Sequence, residues 1–161
     1  MASREGDRIV ALSAQLAQAH QELRRYISEI KSGLGRRRLS DDALVTHCLA
    51  FCEALTSHHQ GEDAGMFSAL LRERPDLAVT VAKLVEDHGM IASILSRVRE
   101  LADRAADSRD LAAESIGREL DGLAAIMESH FGYEERTLSD ALDAGVPDTG
   151  WSETVFWFGA S

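Results

Sequence analysis

The chain has 161 residues, 45% of them apolar and 27% charged, with a formal net charge of −10. That is the size and mix of one domain able to bury a core, and its acidic surface excludes nucleic acid as an expected partner because it repels phosphate backbones. No stretch approaches the ~20 apolar residues needed to span a membrane, and the polar start from Met1 to Asp7 lacks the apolar core of a signal peptide.

Four segments carry the period of an amphipathic helix. The first runs from about residue 7 to 31, with Ile9, Leu12, Leu16, Leu23, Ile27 and Ile30 as its apolar stripe, and Gly33 and Gly35 break it. The basic run Arg36–Arg38 falls in the following loop and reads as solvated. The second helix starts near Ser40 as N-cap, with Asp41 and Asp42 in the first turn where the helix dipole favours anions, and stops at Pro75. The third opens at Pro75 and Asp76 and carries Leu77, Val81, Leu84, Ile91, Leu95 and Val98 before fading around Ala105. The fourth begins near Ser108 and carries Leu111, Ile116, Leu120, Leu123, Met127, Leu138 and Leu142, with Gly145 as C-cap and Pro147 forbidding continuation. Short connections between long helices predict an all-α, antiparallel up-down-up-down four-helix bundle over residues 1–145. Residues 146–161 form a tail with Trp151, Phe156, Trp157 and Phe158, expected to pack over an outer groove, or to serve as a homodimer contact or a lid.

Histidine and glutamate recur on these inward stripes, where they are rare unless paired or bound to metal. His20 lies between Leu16 and Leu23, His88 between Leu84 and Ile91, and His130 follows Met127. Two His-x-x-x-Glu motifs, His58 to Glu62 and His130 to Glu134, place an imidazole and a carboxylate on one helix face a turn apart. One such motif is weak evidence; two on separate helices, with a core histidine on each of the others, supply four imidazoles and two carboxylates. Ligands of this kind projecting from four helices build di-iron and di-manganese sites. By rise per residue, His58 lies roughly 22 Å from the end of its helix and His88 roughly 18 Å from the start of the next, so antiparallel packing brings them nearly level. These donors suit iron, zinc or manganese, and carboxylates able to bridge favour two ions.

The motifs His-His-x-x-Glu-Asp-x-x-Met-Phe from His58 to Phe67, Glu-Asp-His from Glu86 to His88 and His-x-x-x-Glu-Glu from His130 to Glu135 resemble the hemerythrin-like, or HHE cation-binding, domains. The resemblance covers roughly residues 8–144. It implies a non-haem di-iron centre, oxo- or hydroxo-bridged, held by His20, His58, Glu62, His88, His130 and Glu134. Oxygen-carrying members have a fifth histidine one turn after the third-helix ligand, where this chain has Ala92, and an aspartate where it has Glu135.

Other polar residues carry alternatives. His59 points about 100° from His58 and is expected to face a neighbouring helix or solvent. His47 sits three turns away from His58, about 16 Å along the axis, too far to share a cluster. Cys48 and Cys52, one turn apart, pack as small hydrophobes, and two cysteines without a disulfide framework suggest the cytoplasm. Tyr133, between two proposed ligands, is a candidate catalytic residue. With Ala92 in place of a fifth histidine, both ions could offer open positions. The expected activity is therefore catalase-like breakdown of hydrogen peroxide in oxidative-stress defence, with reversible O2 or NO binding, or iron or oxygen sensing, as the alternative.

Overall fold

The structure, a computed structural model, describes residues 11–35, 42–104 and 109–157. The expectations for Ile9, the Arg36–Arg38 run, the Ser40 and Asp41 helix start, Ala105, Ser108, the Leu111 side chain and Phe158 fall outside what it describes. Every regular element among the described residues is helical: α1 (Leu12–Gly35), α2 (Asp42–Gly61), α3 (Phe67–Glu73), α4 (Ala78–Asp103), α5 (Arg109–Asp143) and α6 (Trp151–Phe156). A π-helical turn, Glu62–Met66, joins α2 to α3, and a 3-10 turn, Pro75–Leu77, leads into α4.

The apolar stripes fold inward as their period requires. Leu16, Leu23, Ile27 and Ile30 of α1, Val81, Leu84, Ile91, Leu95 and Val98 of α4, and Ile116, Leu120, Leu123, Met127, Leu138 and Leu142 of α5 are all buried. Helix α1 packs on α2 and α5, and α4 also packs on α2 and α5. Ion pairs fix the α1–α5 register: Arg24 Nε lies 2.7 Å from Glu128 and Lys31 Nζ 3.0 Å from Asp121, while Ser13 Oγ donates to Asp143 at 2.6 Å. Exposed pairs of this kind contribute little energy each, about 0–1 kcal/mol, so the buried stripes carry the stability. At the end of α5, Gly145 adopts φ +106°, the left-handed conformation that the predicted C-cap requires.

The core is not continuous. One cluster gathers Leu23, Ile27, Phe51, Leu55, Ile91, Leu95, Leu123 and Met127; the other gathers Leu16, Met66, Phe67, Leu70, Leu84, Leu138, Leu142 and Trp151. Along α1, α4 and α5 a histidine or glutamate separates the members of one cluster from those of the other. His20 separates Leu16 from Leu23, His88 separates Leu84 from Ile91, and Glu134 separates Phe131 from Leu138.

Two features depart from a plain run of helices. The second predicted helix is interrupted by the π turn, in which the Phe67 amide donates to the Glu62 carbonyl. In a regular helix Phe67 would stand roughly 120° around from Leu55. The wider turn rotates it inward, and both Met66 and Phe67 are buried. The tail from Val146 to Phe156 packs on α1, α2 and the π turn, with Trp151 and Val155 buried and Trp157 exposed. Gly61 and Gly65 permit this approach: a Cβ at Gly65 would lie 2.3 Å from Trp151 Cβ, and one at Gly61 2.8 Å from Thr154 Cγ2.

Candidate metal centre

His20, His58, Glu62, His88, His130 and Glu134 meet in the layer between the two apolar clusters, and His59 joins them. The seven side chains form two groups that share Glu62: His59, Glu62, His88 and His130 in one, and His20, His58, Glu62 and Glu134 in the other. Within each group one donor atom per residue lies within 4.8 Å of the rest, a spacing that can hold a metal ion. None of the seven is more than 6% exposed.

His59 departs from its expected place. Glu62 follows His58 by four residues and His59 by three, so it stands roughly 40° from one and 60° from the other around the helix, between them. When Glu62 marks the inward direction, both imidazoles flank it and reach opposite halves of the site. The His59-x-x-Glu62 spacing was the signal in the sequence; the 100° separation of neighbouring residues concealed it. His59 also stacks on His88, ring centroids 3.7 Å apart.

Four of the histidines are oriented through Nδ1. His20 Nδ1 lies 2.7 Å from Glu135 Oε2, His88 Nδ1 2.8 Å from Asp63 Oδ1, His130 Nδ1 3.1 Å from Asp87 Oδ2, and His58 Nδ1 2.6 Å from the Val155 carbonyl. These acceptors hold the proton on Nδ1 and leave Nε2 as the ligand atom, the arrangement found around metal-bound imidazoles. Glu135 therefore supports His20 from outside, and Glu134 occupies the centre. Asp63 and Asp87, each beside a proposed ligand in sequence, were not anticipated in this role.

The inner atoms lack the partners that a polar core would need. His20 Nε2 faces Glu134 Oε1 and His88 Nε2 faces Glu62 Oε1, each at 3.1 Å, yet His20 Nε2, His59 Nε2 and the carboxylate oxygens of Glu62 and Glu134 complete no well-formed hydrogen bond among the described residues. His88 Nε2 and His130 Nε2 lie 3.1 Å apart. With Nδ1 protonated on both rings, a proton or a cation must lie between those nitrogens. Buried polar atoms left this way cost roughly 1–3 kcal/mol each, more when charged, so the donor set fits metal far better than it fits a satisfied core.

Electrostatics of the metal-free layer agree. Burial, then the neighbouring Glu134 carboxylate, pushes Glu62 well above the usual carboxylate range. Burial opposes ionisation of Glu134 too, but Glu62 and the His20 imidazole outweigh it and hold Glu134 low. Burial works against a proton on His88, yet Asp63 and Glu62 raise it to about 9. His20 is raised as well, Glu134 and Glu135 outweighing burial. Burial, then the charges of His88 and His58, pushes His59 well below its ordinary value. At pH 7 the metal-free site thus holds a proton on His88 that ligation must displace, and Glu62 and His20 are shifted toward their protonated forms. Loading ferrous iron in weakly buffered solution at pH 7 is expected to release protons, read with a pH indicator, because His88 must give one up to bind. No release would mean the metal binds elsewhere.

The remaining candidates lie outside both groups. Tyr133 is half-buried at the edge of the second apolar cluster, with Lys83 Nζ 5.6 Å above its ring. His47 packs against the Tyr26 ring at 4.6 Å. Cys48 and Cys52 are buried free thiols in the first cluster. Ala92 lines a surface pocket of about 320 Å³ together with Thr56, Gln60, Asp63, His59 and His88.

No curated protein and no solved structure matches the chain. The hemerythrin HHE cation-binding domain model matches residues 11–142, nearly the whole of the helical layer that holds the two groups. The buried histidine and glutamate donors and this match make the chain a member of the hemerythrin HHE cation-binding domain family.

Proposed function

We propose that the protein is an antiparallel, up-down-up-down four-helix bundle that holds two non-haem iron ions and breaks down hydrogen peroxide. The bundle direction is supported by the order of core residues. Helices α1 and α4 run from the second apolar cluster to the first, whereas α2 with its π turn and α5 run from the first to the second. Two ions are supported by two donor groups with one carboxylate in common. Iron is supported by the family and by the imidazole and carboxylate donors.

His59, His88 and His130 would hold one ion, His20, His58 and Glu134 the other, and Glu62 both. Iron bound there supplies the redox couple by which two molecules of peroxide become one of oxygen and two of water. The chain's own part is positional. Asp63, Asp87, Glu135 and the Val155 carbonyl aim the imidazoles, and the two apolar clusters exclude bulk water above and below. The observation that carries turnover is the pocket beside Ala92: where oxygen carriers place a histidine, this chain leaves space that leads from the surface to His59 and His88.

A second reading, reversible O2 or NO binding, is favoured by His59. It brings the imidazoles to three in one group and two in the other, the uneven division that the carrier members use. Oxygen evolution decides between them. The iron-loaded protein is expected to release one O2 for every two H2O2 consumed, measured with an oxygen electrode. Absence of turnover together with a reversible oxygenated absorption spectrum would establish the binding reading instead.

A further inference from the structure

We propose that the C-terminal helix α6 is a positioning strap for one half of the metal centre, its Val155 carbonyl fixing the His58 imidazole so that the group of His20, His58, Glu62 and Glu134 can hold its ion. The inference rests on the two-ion reading above. Three of the four Nδ1 anchors are carboxylates that sit directly beside a ligand in the sequence: Asp63 after Glu62, Asp87 before His88 and Glu135 after Glu134. The anchor of His58 differs. It is a main-chain carbonyl 97 residues away, on a helix that contributes no ligand. A carbonyl only accepts, so His58 must carry its proton on Nδ1 and present Nε2 to the group.

The strap is keyed to its seat. Trp151 and Val155 are buried in the second apolar cluster, and the Trp151 indole donates to the Pro147 carbonyl at 2.9 Å. Gly61 and Gly65 bracket Glu62 and leave no room for a side chain beneath Thr154 and Trp151. The residues that admit the strap are thus in the same turn as the shared carboxylate, and the seating of the tail and the geometry of His58 are set together. The other group has its own anchors and does not touch the tail through any of them.

The test uses the full chain carrying Gly65→Leu, which wedges Trp151 off its seat, or Trp151→Ala, which removes the anchor without adding bulk. Leu142→Ala serves as a control that weakens the same apolar cluster away from the strap. Each is loaded with ferrous iron anaerobically, desalted, analysed for iron and then oxidised for electron paramagnetic resonance. Wild type and Leu142→Ala are expected to hold two ions, silent when oxidised because the pair is exchange-coupled. Both strap variants are expected to hold one, with an isolated high-spin ferric signal. Two ions, or none, in the strap variants overturns the inference, as does an equal loss in Leu142→Ala. If Gly65→Leu is unfolded by circular dichroism, Trp151→Ala decides alone. Fewer than two ions in wild type would instead defeat the two-ion reading itself.

Discussion

Replacing Glu62 with leucine is expected to abolish iron binding in both halves of the centre while leaving the metal-free chain as stable as wild type or more so. Glu62 is the one residue common to the two donor groups, and it is fully buried. A leucine fills nearly the same volume and ligates nothing. In the metal-free protein it also removes one of two fully buried carboxylates that crowd each other in the polar layer. The change also relieves the repulsion between Glu62 and Glu134, while His88 keeps Asp63 as a carboxylate partner. The variant should therefore melt at or above the metal-free wild type, and below iron-loaded wild type, whose stability includes the binding free energy. Metal analysis and paired thermal melts measure both effects. Two ions retained by Glu62→Leu would mean that the two groups do not meet at this carboxylate.

The second large effect is expected from His59→Ala. This change should cost the ion of the His59, His88 and His130 group more than about tenfold to a hundredfold in affinity, the range already seen when only an outer partner of a ligand is lost. The ion of the other group should stay. Peroxide turnover should fall with the missing ion. His59→Ala and the strap variants therefore remove opposite ions, and combining His59→Ala with Trp151→Ala should leave the protein without iron. Competition with a chelator of known affinity provides the measurement. Wild-type affinity for both ions would make His59 a buried histidine that merely stacks on His88.

Much of the fold was written in the spacing of apolar residues. The stripes of α1, α4 and α5 are buried where the helical period placed them, and Gly145 caps α5 in the left-handed conformation. The site was legible for the same reason, because polar residues on an apolar stripe are costly unless something holds them. His20, His88 and His130 stood out from that conflict, and the two His-x-x-x-Glu motifs added His58, Glu62 and Glu134. The interruption at Glu62 did not stand out. A regular period carried past Gly61 and Gly65, and only their close approach to Trp151 and Thr154 explains why small residues stand there.

The sequence by itself determined that this chain is helical, that each of four long segments carries histidines, on an apolar stripe in three of them, and that two carboxylates lie one turn from a histidine. These are local properties, fixed by a period of 3.6 residues and by the cost of burying charge. Only the tertiary structure decided where the inward direction points on α2, and hence that His59 turns in beside His58. It alone decided that Asp63, Asp87 and Glu135 sit behind the imidazoles, and that a carbonyl 97 residues away sits behind His58. The physical reason is that a helix face is defined by its neighbours: spacing fixes angles between residues on one helix, but the packing of the other helices and the tail fixes which angle is zero.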